Sequence, residues 1–341
     1  MTINTEIILL GAGFATSFFL AFNLGANDAA TPTDTAVNAG ALTVKQAIIL
    51  FSIFTALGAL TEGFKVMKTI GKGVVLGEID IVGAFTIVLA ANIWILLCSY
   101  IGMEISVTHS IIGSIMGYGL IKYGLYGLNL SIIQNIIISW LTSPFIAIII
   151  SFLLYKVLLI IMQYIEIDER IFRLLLIISL CFSAYSFGVN DIGNATGAYV
   201  TIAEKIGKVP DIQAMFLLSI FGSIGVLTGG IILGPRVIET VAYKITRLNL
   251  AAGFAAELSN ALVVYLFSVV PYMLIGYGIP VSTSLASVGA IIGAGLARGG
   301  KRSVNKITIL QLASFWILTL PATAIISVSA YFLIIQLIQL L

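Results

Sequence analysis

The stretch Gly25-Ala26-Asn27-Asp28 occurs a second time as Gly188-Val189-Asn190-Asp191, about half a chain length later. Each copy follows a long apolar run, and each places a carboxylate in sequence that is apolar enough to lie in lipid. A buried and unpaired carboxylate is very costly in hydrocarbon, so it needs a partner or a function. Two such residues in the same four-residue setting predict a duplicated site that is embedded in a membrane.

The composition around these motifs indicates a membrane protein. The 341 residues are 60% hydrophobic and 9% charged, and the mean hydropathy is +1.12. A soluble domain is about 25% charged. Gly-rich apolar runs of about 20 residues predict an all-α polytopic protein, and the alternating strands of a barrel are missing from the sequence. We expect a multi-pass protein of the cell (plasma, or inner) membrane, in contact with the lipid bilayer.

Several function classes are disfavoured by the residue inventory. Net charge is only +2, without basic patches interleaved with aromatic residues, so no nucleic acid partner is expected. The lone histidine, His109, excludes a multi-histidine metal site, and Cys98 and Cys181 suit packing positions. The sequence contains neither a Walker loop nor a nucleophile beside a base, so an enzymatic function is disfavoured. The first apolar run reads as a retained helix rather than a signal peptide.

A second similarity defines the extent of the repeat. A short polar segment at residues 105–110 aligns without a gap with residues 281–286, and we call these two segments the first and second polar knots. In the same alignment Gly113 and Gly117 match Gly289 and Gly293. Internal repeats with interrupted helices at corresponding positions are typical of secondary transporters with a central site. The predicted units are a first repeat (1–125), a connecting helix and linker (126–167), a second repeat (168–300) and a C-terminal helix (301–341).

The motif residues predict where the helices change course. Glycine lets the backbone leave helical geometry, so we expect each apolar helix to break at its motif. The segment 62–80 reads as a polar loop. The basic loop at residues 298–306 is the best cytoplasmic marker. Because the loops at 65–72 and 236–247 are also basic, charge leaves the choice between parallel and inverted repeats open.

The residue types indicate oxyanion and cation chemistry. Aspartate supplies a hard oxygen charge, and asparagine offers both a donor and an acceptor. A helix end exposes amides that favour an anion or carbonyls that favour a cation. The hydroxyls of both knots could serve either ion. The competing interpretation is that the asparagines and aspartates cap helices and that the hydroxyls bond to their own backbone.

Three further polar residues allow more than one interpretation. Glu257 lies in an apolar run and is not duplicated, so it could coordinate a cation, bind a proton or lie near an aqueous end. Glu62 reads as interfacial, and Glu104 adjoins the first knot. His109 suits a proton-binding group, a simple donor or a packing residue.

The paired motifs G-A-N-D and G-V-N-D, together with the V-S-T-S-like knots, resemble the inorganic phosphate transporter (PiT) family over nearly the whole chain. The resemblance implies a secondary transporter that imports inorganic phosphate with Na⁺ or H⁺, built from two inverted repeats of about twelve helical segments with re-entrant-like knots. The phosphate ligands that it implies are Asn27, Asp28, Thr108, His109, Ser110, Asn190, Asp191, Thr283 and Ser284. The Na⁺ ligands that we expect are Asp28, Asp191, Ser106, Glu257, Ser282 and Asn194, with Glu257 and Ser282 binding a cation together.

The chain departs from the family pattern at a few positions. Members commonly show Pro-Val-Ser-Thr-Thr-His in each half. Here Glu104 replaces the proline and Val107 the first threonine of the first knot, and Leu285 replaces the histidine of the second. Thr55 stands where eukaryotic relatives often have an acidic residue. These changes affect which hydroxyls would touch phosphate.

The expected mechanism follows from charge. Two bare aspartates would repel phosphate, so we expect Na⁺ on the carboxylates, with the cations and helix N-termini together holding the anion. Cation and anion binding then depend on each other, as symport requires. Coupling to H⁺, a permease for sulfate or another oxyanion, and a passive channel remain as alternatives, in that order. A homodimer is the expected oligomer.

Overall fold

In the computed structural model, every long secondary-structure element is a helix. It describes residues 3–101, 103, 105–235, 238, 248–300 and 306–340. Within that part of the chain, eight helical spans are long and apolar enough to cross a membrane. The prediction of an all-α polytopic membrane protein is therefore confirmed. Among the residues predicted to matter, Glu104, all three basic residues of the loop at 236–247 and those of 301–305 lie outside the described part.

In the described part of the first half, the chain forms seven α-helices, two π-helical turns and the 3₁₀ turn Leu125–Gly127. The α-helices and π turns are α1 (Ile3–Asn23), a π turn (Leu24–Asp28), α2 (Ala30–Asn38), α3 (Val44–Thr61), α4 (Phe64–Lys68), a second π turn (Thr69–Gly73), α5 (Ile81–Tyr100), α6 (Val107–Tyr123) and α7 (Leu130–Tyr164).

The described part of the second half has a similar order of long and short helices, without a counterpart of α4 and the second π turn. Its helices are α8 (Glu169–Thr196), α9 (Val200–Gly207), α10 (Asp211–Ile232), α11 (Leu250–Ile275), α12 (Thr283–Gly299) and α13 (Lys306–Leu340). Helices α7 and α13 have 35 residues each. At 1.5 Å per residue each is about 50 Å long, more than the hydrocarbon core of about 30 Å requires.

The expected helix breaks at the two motifs are wrong. The chain stays helical through Gly25 in a π turn, and Gly188 lies inside α8. Both glycines instead serve close packing. A β-carbon at Gly25 would overlap the carbonyl oxygen of Val226 in α10, and one at Gly188 would overlap that of Thr55 in α3. The interruptions come later, after Asp28 and at the 3₁₀ turn Gly197–Tyr199.

The two polar knots begin helices, as the sequence predicts. Ser106 caps α6 by accepting a hydrogen bond from the His109 amide, and Ser282 caps α12 by accepting one from Leu285. Both helices end at a glycine with positive φ, Gly124 at +72° and Gly300 at +68°. Only glycine adopts that conformation without strain, so the sequence defines both ends of each short helix.

Each short helix packs against the long helix of the other half of the chain. Gly113 and Gly117 of α6 lie against α13, and Gly289 and Gly293 of α12 lie against Pro144 and the following turn of α7. Small residues allow such close backbone contact between membrane helices. Helices α7 and α13 therefore hold equivalent places, which the division of the sequence into a connecting helix and a C-terminal helix did not anticipate.

The segment 62–80 is more ordered than the predicted polar loop, because it contains α4 and the second π turn. Lys72 Nζ bonds Glu204 and Asp211 at 2.7 Å each, and Lys122 bonds Asp80 at 3.0 Å. These pairs gather the end of α6, α9 and the start of α10 around the segment. We call this end of the bundle the lysine face. Helices α5 and α10 start here, so their other ends, at Tyr100 and Ile232, lie on the opposite face.

Candidate functional site

A buried polar cluster surrounds the second motif. Asp191 is 1% exposed, and its Oδ1 accepts hydrogen bonds from Asn194 Nδ2 at 2.8 Å and Thr108 Oγ1 at 3.5 Å. Its Oδ2 accepts one from Asn190 Nδ2 at 3.1 Å, and the side chain of Thr283 is a further partner. Positions 190, 191 and 194 share α8, so one helix holds the carboxylate and two of its donors.

Two helix N-termini meet at this carboxylate. Thr108 lies in the first turn of α6 and Thr283 in the first turn of α12. Both knots therefore reach the second motif from opposite halves of the sequence. Helix N-termini carry free amides and partial positive charge, which suits an anion. The cluster brings together Thr108, Asn190, Asp191, Asn194 and Thr283 from the predicted set.

One side-chain oxygen of the same cluster has no hydrogen-bond partner. Asn194 Oδ1 is buried without a hydrogen-bond partner, although the amide nitrogen of the same side chain bonds both Asp191 and Thr108. Buried polar atoms are nearly always satisfied, so an orphaned oxygen requires an explanation. Amide, carboxylate and hydroxyl oxygens are the ligand types that a hard cation prefers, and this cluster contains all three.

The first motif has different surroundings. Asp28 is buried at 8% exposure in the π turn. Asn27 is half-buried and lines a cavity of about 250 Å³ with Asn23, Ser99 and Leu233. Ser99 and Leu233 stand at the ends of α5 and α10 that lie away from the lysine face, and Asn23 is the last residue of α1. The first motif is thus associated with a cavity and the second with a closed hydrogen-bond cluster.

The remaining residues of the first knot have contacts of their own. The His109 ring stacks on Trp140 of α7 with ring centroids 3.7 Å apart, and its buried Nδ1 has no hydrogen-bond partner. Ser110 Oγ donates to the backbone oxygen of Ser106 at 3.0 Å. Ser284 is buried in the first turn of α12. The hydroxyls of Ser106 and Ser110 thus make the backbone bonds that the competing interpretation described.

Glu257 belongs to a second buried cluster. It is 2% exposed, and its Oε2 accepts a hydrogen bond from Thr35 of α2 at 2.5 Å. The Oε1 of Glu257 and the Oδ1 of Asn260 are buried without partners, while Asn260 Nδ2 donates to Ser183.

The partner that we expected for Glu257 was Ser282, and the structure gives it Thr35 instead. Ser268, which bonds the Asp191 cluster through Asn190, lies 11 positions further along α11. Eleven residues of helix measure about 16 Å, so Glu257 lies well away from the α12 cap. Thr35 was not predicted as a partner of Glu257, because the sequence 31–34 before it is typical of a helix start. Ser268 was not predicted as a partner of Asn190, because a single serine in an apolar run carries no distinguishing pattern.

Comparisons with known proteins identify the family of this chain. The profile of the phosphate transporter family matches residues 24–168 and 161–327. A protein of Thermococcus kodakarensis that is named as a phosphate permease is 31% identical, with 91% of this chain and 94% of that protein covered. An inorganic phosphate transporter of Arabidopsis thaliana chloroplasts is 26% identical over 91% of this chain and 70% of its own length.

A solved structure titled as the sodium-dependent phosphate transporter has the same fold. Its TM-score against this chain is 0.83 and its sequence identity is 29%, with 96% of this chain and 99% of that chain covered. The doubled motif, the two capped knots and the buried acid that they surround lie within the residues that the family profile matches. The chain is therefore a multi-pass membrane protein that belongs to the phosphate transporter family.

Proposed function

We propose that this phosphate transporter is a Na⁺-coupled importer of inorganic phosphate in the plasma membrane, and that it is not an enzyme. The observation that carries the proposal is the orphaned oxygen of Asn194 beside the buried carboxylate of Asp191. Together with Thr108 Oγ1 these oxygens would form a cation site once the Asn194 amide hydrogens, which bond Asp191 and Thr108 in this conformation, turn away. Na⁺ is a small hard cation, and such a set would hold it without a proton.

The bound cation would make the site attractive to phosphate. Phosphate is a mixture of mono- and dianion near pH 7, and a bare Asp191 would repel it. A Na⁺ ion on the carboxylate cancels that repulsion, and the amides at the start of α6 and α12 then face the anion. The hydroxyls of Thr108 and Thr283 are the proposed phosphate donors nearest to Asp191, with Ser110, Ser284 and His109 around them.

Asp28 and Asn27 would contribute the corresponding groups from the first repeat. Asp28 is buried like Asp191, and Asn27 lines the cavity near the ends of α5 and α10. We therefore propose Asp28 as a second Na⁺ ligand of the phosphate site. Two inverted repeats, as the resemblance implies, would place these residues on opposite sides of the membrane centre.

The Glu257 cluster is the proposed place for a further cation. The carboxylate has one unpaired oxygen, Asn260 has another, and Thr35 supplies a hydroxyl. This assignment replaces Ser282 by Thr35 and Asn260 as the companions of Glu257. The burial of Glu257, with its Oε1 unpaired, is also the observation that favours the second candidate function, coupling to H⁺, because a protonated glutamate needs no cation.

Uptake of labelled phosphate into proteoliposomes separates these possibilities. At constant pH on both sides, an inward Na⁺ gradient should drive accumulation above equilibrium, and replacing Na⁺ by K⁺ should abolish it. Accumulation that is driven by a pH gradient in the absence of Na⁺ would identify H⁺ as the coupling ion instead of Na⁺. Uptake that only equilibrates would indicate a passive channel. Competition by unlabelled arsenate but not sulfate would support phosphate over other oxyanions.

A further inference from the structure

An extended segment between α11 and α12, residues 276–282, closes the lysine-face side of the Asp191 cluster. We call it the strap. Its outer part is bonded to the first half of the chain. The Gly278 amide donates to the Lys65 backbone oxygen at 3.0 Å, and Thr69 Oγ1 donates to the Gly278 oxygen at 2.5 Å. Trp140 Nε1 of α7 donates to the Pro280 oxygen at 2.9 Å.

The inner end of the strap is held chiefly by Asn190, which bonds both backbone groups of Val281, and in addition Thr108 Oγ1 donates to the Val281 oxygen at 3.3 Å. Asn190 Nδ2 donates to the Val281 oxygen at 2.7 Å, and the Val281 amide donates to Asn190 Oδ1 at 3.0 Å. Because both backbone groups of Val281 take part, the orientation of the amide is unambiguous. Ser268 Oγ also donates to Oδ1 at 3.0 Å, and Nδ2 also donates to Asp191 Oδ2 at 3.1 Å.

These four bonds use the whole capacity of the Asn190 side chain. An amide offers two donors and two acceptor positions, and all four are occupied within the protein. No position is left for phosphate in this conformation. The same side chain touches both the strap and the carboxylate that we propose as the Na⁺ ligand, so it connects the bound cation to the cover of the site.

The corresponding asparagine of the first motif is not held in this way. Asn27 is half-buried and lines the 250 Å³ cavity toward the opposite face, with lining residues that come from α1, the first π turn, α5 and the end of α10. No described residue of the first knot lines that cavity. One asparagine is thus fastened to its knot while the other faces open space, which is the asymmetry of a transporter closed on one face.

We propose that Asn190 is a positioning residue that fastens the strap over the lysine-face side of the site, and that it is not a phosphate ligand. The proposal rests on the transport function proposed above. Releasing the two bonds between Asn190 and Val281 leaves the inner end with only the 3.3 Å bond from Thr108, so the strap is loosened on the side of Asp191. The attachments of Gly278 to Lys65 and Thr69 hold only its outer part.

The accessibility of the strap tests this assignment directly. A single cysteine is placed by Ile279→Cys in the full chain carrying Cys98→Ala and Cys181→Ala, purified in detergent without phosphate. The rate of labelling by a membrane-impermeant maleimide is then measured. Asn190→Ala should raise that rate about tenfold or more, since it removes two bonds of about 1 kcal/mol each. Thr69→Val, at the outer end, should raise it by a smaller factor.

Asn27→Ala is the matched control, and it should leave labelling unchanged or lower it. If Asn190→Ala leaves the labelling rate unchanged, the fastening role is wrong. An equal rise in both asparagine variants would contradict it as well. If Asn190→Ala does not elute as a folded protein, Ser268→Ala, which removes a hydrogen bond to Asn190, is tested in its place. An unchanged labelling rate in that variant would then contradict the fastening role. Labelling is measured without phosphate, so a failure of Na⁺-driven uptake with strap release intact would overturn the proposed function alone.

Discussion

At the scale of single residues, the account depends on what a carboxylate needs inside a membrane. The duplication was enough to predict Asp191 from sequence, and its 1% exposure agrees with that prediction. Asn194 was also predicted as a ligand. Its hydrogen bond to Asp191 lies within α8, but its bond to Thr108 depends on the α6 knot reaching α8, and no local pattern in the sequence contains that approach.

Replacing Asn194 tests the cation ligand. Asn194→Ala removes the unpaired oxygen and should raise the Na⁺ concentration for half-maximal uptake about tenfold or more, while the KM for phosphate at saturating Na⁺ changes much less. Initial rates of phosphate uptake against Na⁺ would measure both. Asn135→Ala on α7, outside the cluster, is the control. A larger effect on phosphate KM than on Na⁺ dependence would assign Asn194 to the anion instead.

Replacing Thr35 tests the Glu257 cluster. Thr35→Val keeps the shape and removes the hydroxyl that donates to Glu257 at 2.5 Å. If a further Na⁺ ion binds there, the Hill coefficient of uptake against Na⁺ should fall toward 1. Thr228→Val is the control, because that hydroxyl bonds only its own helix. An unchanged Hill coefficient would leave Glu257 without a role in cation binding.

At the scale of elements, sequence alone placed the spans well and the interruptions poorly. Apolar length defines a crossing, and the caps and terminal glycines define α6 and α12. The motif glycines were read as helix breaks because a glycine's freedom is visible in sequence whereas its neighbours are not. Gly25 and Gly188 keep helical geometry and admit the carbonyl oxygens of α10 and α3.

That packing role predicts a stability difference between glycines. Gly188→Ala should destabilise the protein by roughly 1–3 kcal/mol, because the new methyl group has no space beside the Thr55 oxygen. Gly11→Ala, in α1, meets nothing within 4 Å, so the better helix propensity of alanine should leave stability unchanged or raise it. Thermal unfolding in detergent would compare the two. Equal unfolding temperatures would contradict the packing role.

At the scale of the whole molecule, the repeat was partly visible and its assembly was not. The gapless match of Gly113 and Gly117 with Gly289 and Gly293 predicted two equivalent short helices. That α6 packs on α13, and α12 on α7, is a long-range pairing that periodicity does not encode. Because each short helix packs on the long helix of the other half, these contacts support the proposed duplicated organisation, in which both halves contribute residues around Asp191. A homodimer remains a prediction, which the mass of the detergent-solubilised protein would test.

The central claim is that buried aspartates hold Na⁺ so that phosphate can bind. Its most direct test is phosphate uptake driven by an inward Na⁺ gradient at constant pH, in proteoliposomes that contain the wild type, Asp28→Asn or Asp191→Asn, with Glu166→Gln as the surface control. We predict accumulation for the wild type and the control, and a loss of about 100-fold or more for either aspartate variant at equal protein content, since a buried charge partner is removed. Near wild-type accumulation by Asp191→Asn would contradict the account.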